Sequence, residues 1–280
     1  MRRTTRALLA APAAALALLA GSVPVSAEEE PSLAAVGLTG DGRLVAFRVG
    51  DTSKAAEIGK VNGLKDDKKL VGIDFRVQDG KLYGVGDQGG IYTLHDKAEA
   101  KKVSELTVDL EGDAFGVDFN PAADRLRIVS DTGQNLRHDV REDGETIEDD
   151  TLTFPGPPEE TAVGITAVAY TNNDEDDTTA TTLFDIDTRI DQVVIQSPAN
   201  AGLLAAVGQL GVDVGPSAGF DIYSELEEGK TVANAGFATF RVDQKYRLYE
   251  VDLLTGATES LGDFPDDHQV VDLSIALDNA

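Results

Sequence analysis

The sequence returns at near-constant intervals to one short pattern. It reads Gly72-Ile73-Asp74-Phe75, Gly116-Val117-Asp118-Phe119 and Gly219-Phe220-Asp221-Ile222, with a weaker copy at Val270-Val271-Asp272-Leu273 and Ala in place of Asp at Ala167-Val168-Ala169-Tyr170. Measured between positions 74, 118, 169, 221 and 272, the steps are 44, 51, 52 and 51 residues. A period of about 40 to 50 residues with strand-like content is that of a propeller blade, a four-stranded antiparallel sheet. One period supplies the four strands: the stretch at Gly72, then KLYGVG, IYTLH and KKVSEL, separated by Asp79-Gly80, by Gly89-Gly90 and by a polar turn. Asp-Gly and Gly-Gly pairs provide the positive-φ positions that tight hairpins require.

The two ends of the chain complete each other. Residues 33–49 match the second and third strands of the unit, not its first, and VVDLSIAL at the C-terminal end supplies what is missing. The expected fold is therefore all-β: a five-bladed propeller over residues 33–280, closed by pairing of the N- and C-terminal segments so that no inner sheet edge is left open. No stretch sustains the 3.6-residue periodicity of a helix. Residues 141–150, 154–160 and 172–179 read as polar surface insertions.

Ahead of this unit, Arg2, Arg3 and Arg6 precede an Ala/Leu-rich run that ends in Val25-Ser26-Ala27, the pattern of a secretory signal peptide over residues 1–27. Thr4-Thr5-Arg6 replace the hydrophobic pair expected after a twin arginine, so the general export route is expected. No later stretch approaches the roughly 20 apolar residues of a membrane span. The expected protein is a secreted, extracellular monomer. It has no cysteine, so its stability must come from a large core and not from disulfides. The net charge is −26, and loss of the three leader arginines takes it to −29. Such a surface repels nucleic acid and anionic lipid, leaving an extracellular ligand of another kind as the expected partner.

Three motifs bear on chemistry. Asp131-Thr132-Gly133 matches the tripeptide of aspartic proteases, but those enzymes need two such carboxylates, and the repeat places this one in a hairpin turn. Asp74, Asp118, Asp221 and Asp272 recur at the inner strands and should converge on the channel. There they would satisfy backbone donors of the next blade, bind Ca²⁺, or act as a glycosidase pair. Repetition favours the structural role, because a catalytic residue usually breaks a repeat. No other cofactor is expected: His95, His138 and His268 are scattered, and Asp185 to Gln196 lacks the Gly and Glu of a calcium loop.

The run GVDFNPAADRLRIVSDTGQNLRHDV, followed by ITAVAYTNN, TATTLFDIDT, QSPANAGLLAAVGQLGVDVG and AGFDI, resembles the secreted bacterial proteins of domain of unknown function 4394. That resemblance implies export and a repeat-built β fold, and it brings no catalytic residues with it. Within the resembling run, one hairpin departs from its siblings by gathering Arg125, Arg127, Asp131, Gln134, Asn135 and Arg137. These six are the candidate ligand-binding residues, expected as an exposed recognition surface. The function expected is a binding or scaffold module in preference to an enzyme. A carbohydrate-active, glycosidase-like enzyme using the inner carboxylates and a calcium-stabilised structural protein are the alternatives. With 6% aromatic residues and no Trp, the usual sugar-stacking platform is thin.

Overall fold

A computed structural model describes residues 33–176 and 178–278. The expected leader, residues 1–27, lies outside the described residues. Five four-stranded antiparallel sheets form a five-bladed β-propeller. Blade 2 contains Leu70–Arg76, Lys81–Gly86, Gly90–Leu94 and Ala100–Glu105. Blade 3 contains Phe115–Asn120, Arg125–Ser130, Asn135–His138 and Thr146–Glu148. Blade 4 runs through Ile165–Tyr170, Leu183–Asp187, Gln192–Gln196 and Leu204–Gln209, and blade 5 through Ala218–Glu227, Lys230–Val242, Lys245–Val251 and Thr258–Asp263.

Blade 1 is built from both ends of the chain. Val270–Ile275 pairs antiparallel with Ala34–Thr39, which continues into Arg43–Arg48 and Asp51–Lys60. The pairing Ala35↔Ile275 and Gly37↔Leu273 puts Leu273 and Ile275 into the core shared with blade 5. The closure expected from the sequence is thus present, strand for strand.

The hydrophobic core is five clusters, one at each blade interface. Strand alternation accounts for this: Leu126 and Ile128 face blade 2, whereas Val129 faces blade 4. Inner strands approach closely enough that some positions admit no side chain. A Cβ on Gly116 would lie 2.7 Å from Ala167 Cα, and one on Gly219 would lie 2.5 Å from Asp272 Cα. The glycine that opens the repeat is therefore a packing requirement.

Two sequence expectations are corrected. Hydrogen bonding places Ser274, not Asp272, in the register of Asp74, Asp118 and Asp221. Phe75 N–H donates to Ser274 Oγ just as Phe119 and Tyr170 N–H donate to Asp74 and Asp118. Asp272 falls two residues earlier, in the glycine register, where Gly72 of the adjoining blade leaves room for its carboxylate. A shift of two keeps a strand's faces unchanged, so alternation alone could not tell the registers apart. Residues 141–150 are also not wholly an insertion, since Thr146–Glu148 is the outer strand of blade 3. Residues 154–160 lie outside the five sheets, forming with Thr153 and Thr161 a two-residue ladder, Thr153–Phe154 against Glu160–Thr161, with Phe154 packed on the core between blades 3 and 4.

Truncation before Val270 removes the inner strand of blade 1 and exposes cores on both sides. The shortened protein is expected to lose cooperative thermal unfolding and to aggregate. Retention of the full-length melting profile in a calorimeter would contradict the closed ring.

Candidate functional site

Around the axis, side-chain acceptors staple the blades together at four of the five junctions. Asp74 Oδ2 accepts from Phe119 N–H at 2.8 Å, Asp118 Oδ2 from Tyr170 N–H at 2.9 Å, and Asp221 Oδ2 from Ile275 N–H at 2.5 Å. Ser274 completes the set between blades 1 and 2. Ala169 in blade 4 has no acceptor, and there Ile222 N–H is taken by Asp221 Oδ1 at 2.6 Å. Asp272 adds a second tie, its Oδ2 accepting Ile73 N–H at 2.8 Å. The structural role expected of the four aspartates is the one their hydrogen bonds describe.

These carboxyls crowd one another. One oxygen from each of Asp74, Asp118 and Asp221 lies within 4.8 Å of the others, and all three residues are buried. Burial, and for Asp74 and Asp118 also a neighbouring aspartate, pushes both well above the carboxylate range. Burial raises Asp221 to about 6 and Asp272 to about 8. The cavity at the channel mouth, of about 190 Å³, is lined by two carboxylates, Asp113 and Asp272, and by none of Asp74, Asp118 and Asp221.

The blade 3 hairpin divides into two groups. Asp131, Gln134 and Asn135 are spent on the fold. Asp131 Oδ1 accepts Asp113 N–H at 2.9 Å, and Gln134 bridges Glu111 N–H and Asp109 C=O. Asn135, 1% exposed, donates to Asp150 and Ala199 carbonyls and accepts from Arg127. Gly133, at φ +91°, makes the turn. Asp131-Thr132-Gly133 is therefore turn chemistry, as its place in the repeat implied. The expected exposed recognition surface is not what forms, because Arg127 and Asn135 are buried at the junction with blade 4 and Gln134 is buried against the segment that leads into blade 3.

Arg125, Arg127 and Arg137 form the second group and line a cavity of about 100 Å³ at that junction, with Asn120, Tyr170 and Asn200. Arg127 replaces the Tyr83 and Phe237 that pair with Asp74 and Asp221 in blades 2 and 5. Its guanidinium donates to Asn135 Oδ1 at 2.7 Å, Asp149 Oδ2 at 2.8 Å, Asn200 Oδ1 at 2.7 Å and Tyr170 Oη at 3.3 Å. Arg137 gives only Nε, to Asp149 Oδ1 at 3.0 Å. Arg125 bonds the carbonyls of Ala123 and Asp124 and lies 3.3 Å from Asp139. Asp139 is held well below its ordinary value chiefly by its bond to Arg141. On the facing blade, Asp185 is fully buried with neither oxygen bonded, and burial raises it well above the carboxylate range. Sequence reasoning found the three arginines but missed Asn120, Tyr170, Asn200 and Asp149, which come from separate segments. Tyr170 alone had a signal, being the repeat position that follows the missing aspartate.

The chain belongs to the family of domain of unknown function DUF4394, whose profile matches residues 43–274. No curated protein matches it. Among solved structures it is similar to a structural-genomics protein of unknown function from Bacteroides thetaiotaomicron, at 13% identity and TM-score 0.47, over 88% of this chain and 67% of that one. It is similar also to an auxiliary nutrient binding protein from the same organism, at 14% identity and TM-score 0.45, over 81% of this chain and 56% of that one. A chain of a nidogen/laminin complex matches at 12% identity and TM-score 0.44, over 89% and 88%. No ligand or activity passes to this chain from likeness at that level.

Two outcomes test the axial staples. Asp118→Ala leaves Tyr170 N–H buried without an acceptor and is expected to cost about 1–3 kcal/mol, whereas Asp118→Asn keeps an acceptor, sheds the strained acid and should cost clearly less in denaturant titration. In the second, raised carboxyl values mean that folding takes up protons. That stability is fully present below the ordinary carboxylate value near 4 and is lost as pH rises through the folded values of about 6 and about 8. His138, lowered to about 4 by burial, opposes this only below its ordinary value near 6.5. The melting temperature should therefore fall between pH 7 and pH 9 on scanning calorimetry. Asp272→Asn should flatten that fall.

Proposed function

We propose that this member of the DUF4394 family is an extracellular, monomeric binding propeller whose recognition site is the cavity between blades 3 and 4. The leader pattern at residues 1–27 supports export, and closure of the ring within one chain supports a monomer. The observation that carries the reading is the break in repeat symmetry at Arg127. There a channel-side aromatic position becomes a buried guanidinium, and polar side chains from blades 3 and 4 surround an open space. The other acidic candidates are engaged in holding blades together, which supports binding over catalysis.

Ala123 is exposed and lines the same cavity, so Ala123→Trp should fill it without unfolding the chain. A thermal-shift screen of saccharides, amino acids and small organic acids is expected to yield ligands that stabilise the native state. Those ligands should be recovered unchanged and lose their effect in Ala123→Trp. Turnover of the ligand, or undiminished binding in a folded Ala123→Trp protein, would refute the proposal.

A further inference from the structure

We propose that the blade 3–blade 4 cavity is an oxyanion site that takes a single carboxylate, sulfate or phosphate group. The inference rests on the reading that this cavity is where the protein binds its ligand, and it names the chemistry of that ligand. Its first support is the lining. In a chain with 50 acidic and 24 basic residues, no acidic residue lines this cavity, and three arginines do. The contrast within the same molecule is direct: the larger cavity between blades 5 and 1, about 590 Å³, is lined by four acidic residues, Asp41, Glu57, Asp266 and Asp267, against one arginine, Arg43.

Local charge balance gives the second support. Four guanidiniums, those of Arg125, Arg127, Arg137 and Arg141, share two carboxylates, Asp139 and Asp149. Guanidiniums thus outnumber the carboxylates they pair with by two beside a small, partly enclosed space on a strongly negative protein.

Donor geometry supplies the third. Arg127 commits both terminal nitrogens to Asn135, Asp149 and Asn200, which fixes it as the rigid floor of the cavity. Arg137 uses Nε alone, so its terminal amino groups, with no protein acceptor, are the planar fork that binds an oxyanion through two parallel hydrogen bonds. A volume of about 100 Å³ is some three times the roughly 30 Å³ share of a water molecule, room for one oxyanion head and not for a whole sugar. The remainder of a larger ligand would lie outside, across Ala123.

Calorimetric titration of the mature chain with sulfate, phosphate, acetate and glucuronate, at constant ionic strength and with glucose as the neutral comparison, tests this. Arg125 and Arg137 are each about one-third exposed in their side chains, so Arg125→Gln and Arg137→Gln should fold, which melting confirms. Saturable one-to-one oxyanion binding is expected, weakened about tenfold or more by either substitution and unchanged by Arg43→Gln in the blade 5–blade 1 cavity. Glucuronate binding more tightly than acetate would assign the group to an acidic saccharide, and equal affinity would assign it to the free ion. Absence of saturable binding by every oxyanion, or equal affinity in Arg137→Gln, overturns the proposal. Glucose binding that Ala123→Trp abolishes, with no oxyanion binding, overturns the oxyanion assignment and leaves the binding cavity standing. Oxyanion binding indifferent to Ala123→Trp overturns both.

Discussion

The rest of the molecule depends on how five inner strands can lie side by side around one axis without hydrogen-bonding to each other as a sheet. Each inner strand is already paired on its outer side, so its remaining amides face the next blade with no ladder partner. A buried amide without an acceptor is costly, on the order of 1–3 kcal/mol. Side-chain acceptors projecting from the preceding blade solve this, and Asp is the shortest side chain that can reach across and accept twice. The glycine two residues earlier is the counterpart: it lets the strands come close enough for that reach.

The solution has an electrostatic cost. Three carboxyls meet within a few ångströms on the axis, where water cannot screen them. Burial and the neighbouring carboxyls favour the protonated form, and no arginine or lysine reaches the three among the described hydrogen bonds and ion pairs. Two of the five positions avoid adding charge altogether, using Ser274 and Ala169. The ring is thus held by groups that act as hydrogen-bond acceptors, for which ionisation is a liability. Its stability is coupled to pH in the opposite sense to that of the paired surface carboxylates such as Asp139.

Charge sits quite differently between blades 3 and 4. Arg127 occupies a position that blades 2, 4 and 5 fill with an aromatic ring, and burying a guanidinium there requires acceptors from three segments: Asn135, Asp149 and Asn200. Once those are in place, the arginine is immobile and the polar groups beside it cannot collapse as an apolar core would. The outcome is a preformed cavity at a blade interface, with positive charge concentrated where the protein as a whole is negative.

The sequence by itself determined the number of blades, the ring closure and the identity of the blade that breaks the pattern. These follow from period, from alternation and from residue types that stand out locally, and local signals survive in a linear reading. The repeat also carried the axial aspartates' structural role, since what recurs in most blades answers a need that every blade has. Only the tertiary structure decided that Ser274, not Asp272, holds the latch position, because registers two residues apart bury the same strand face and differ only in which amide they meet across the interface. It also decided that the blade 3 hairpin is buried and not displayed. Asn120, Tyr170, Asp149 and Asn200 come from different segments, and nothing in the linear order of a chain brings together residues that meet only when two blades pack.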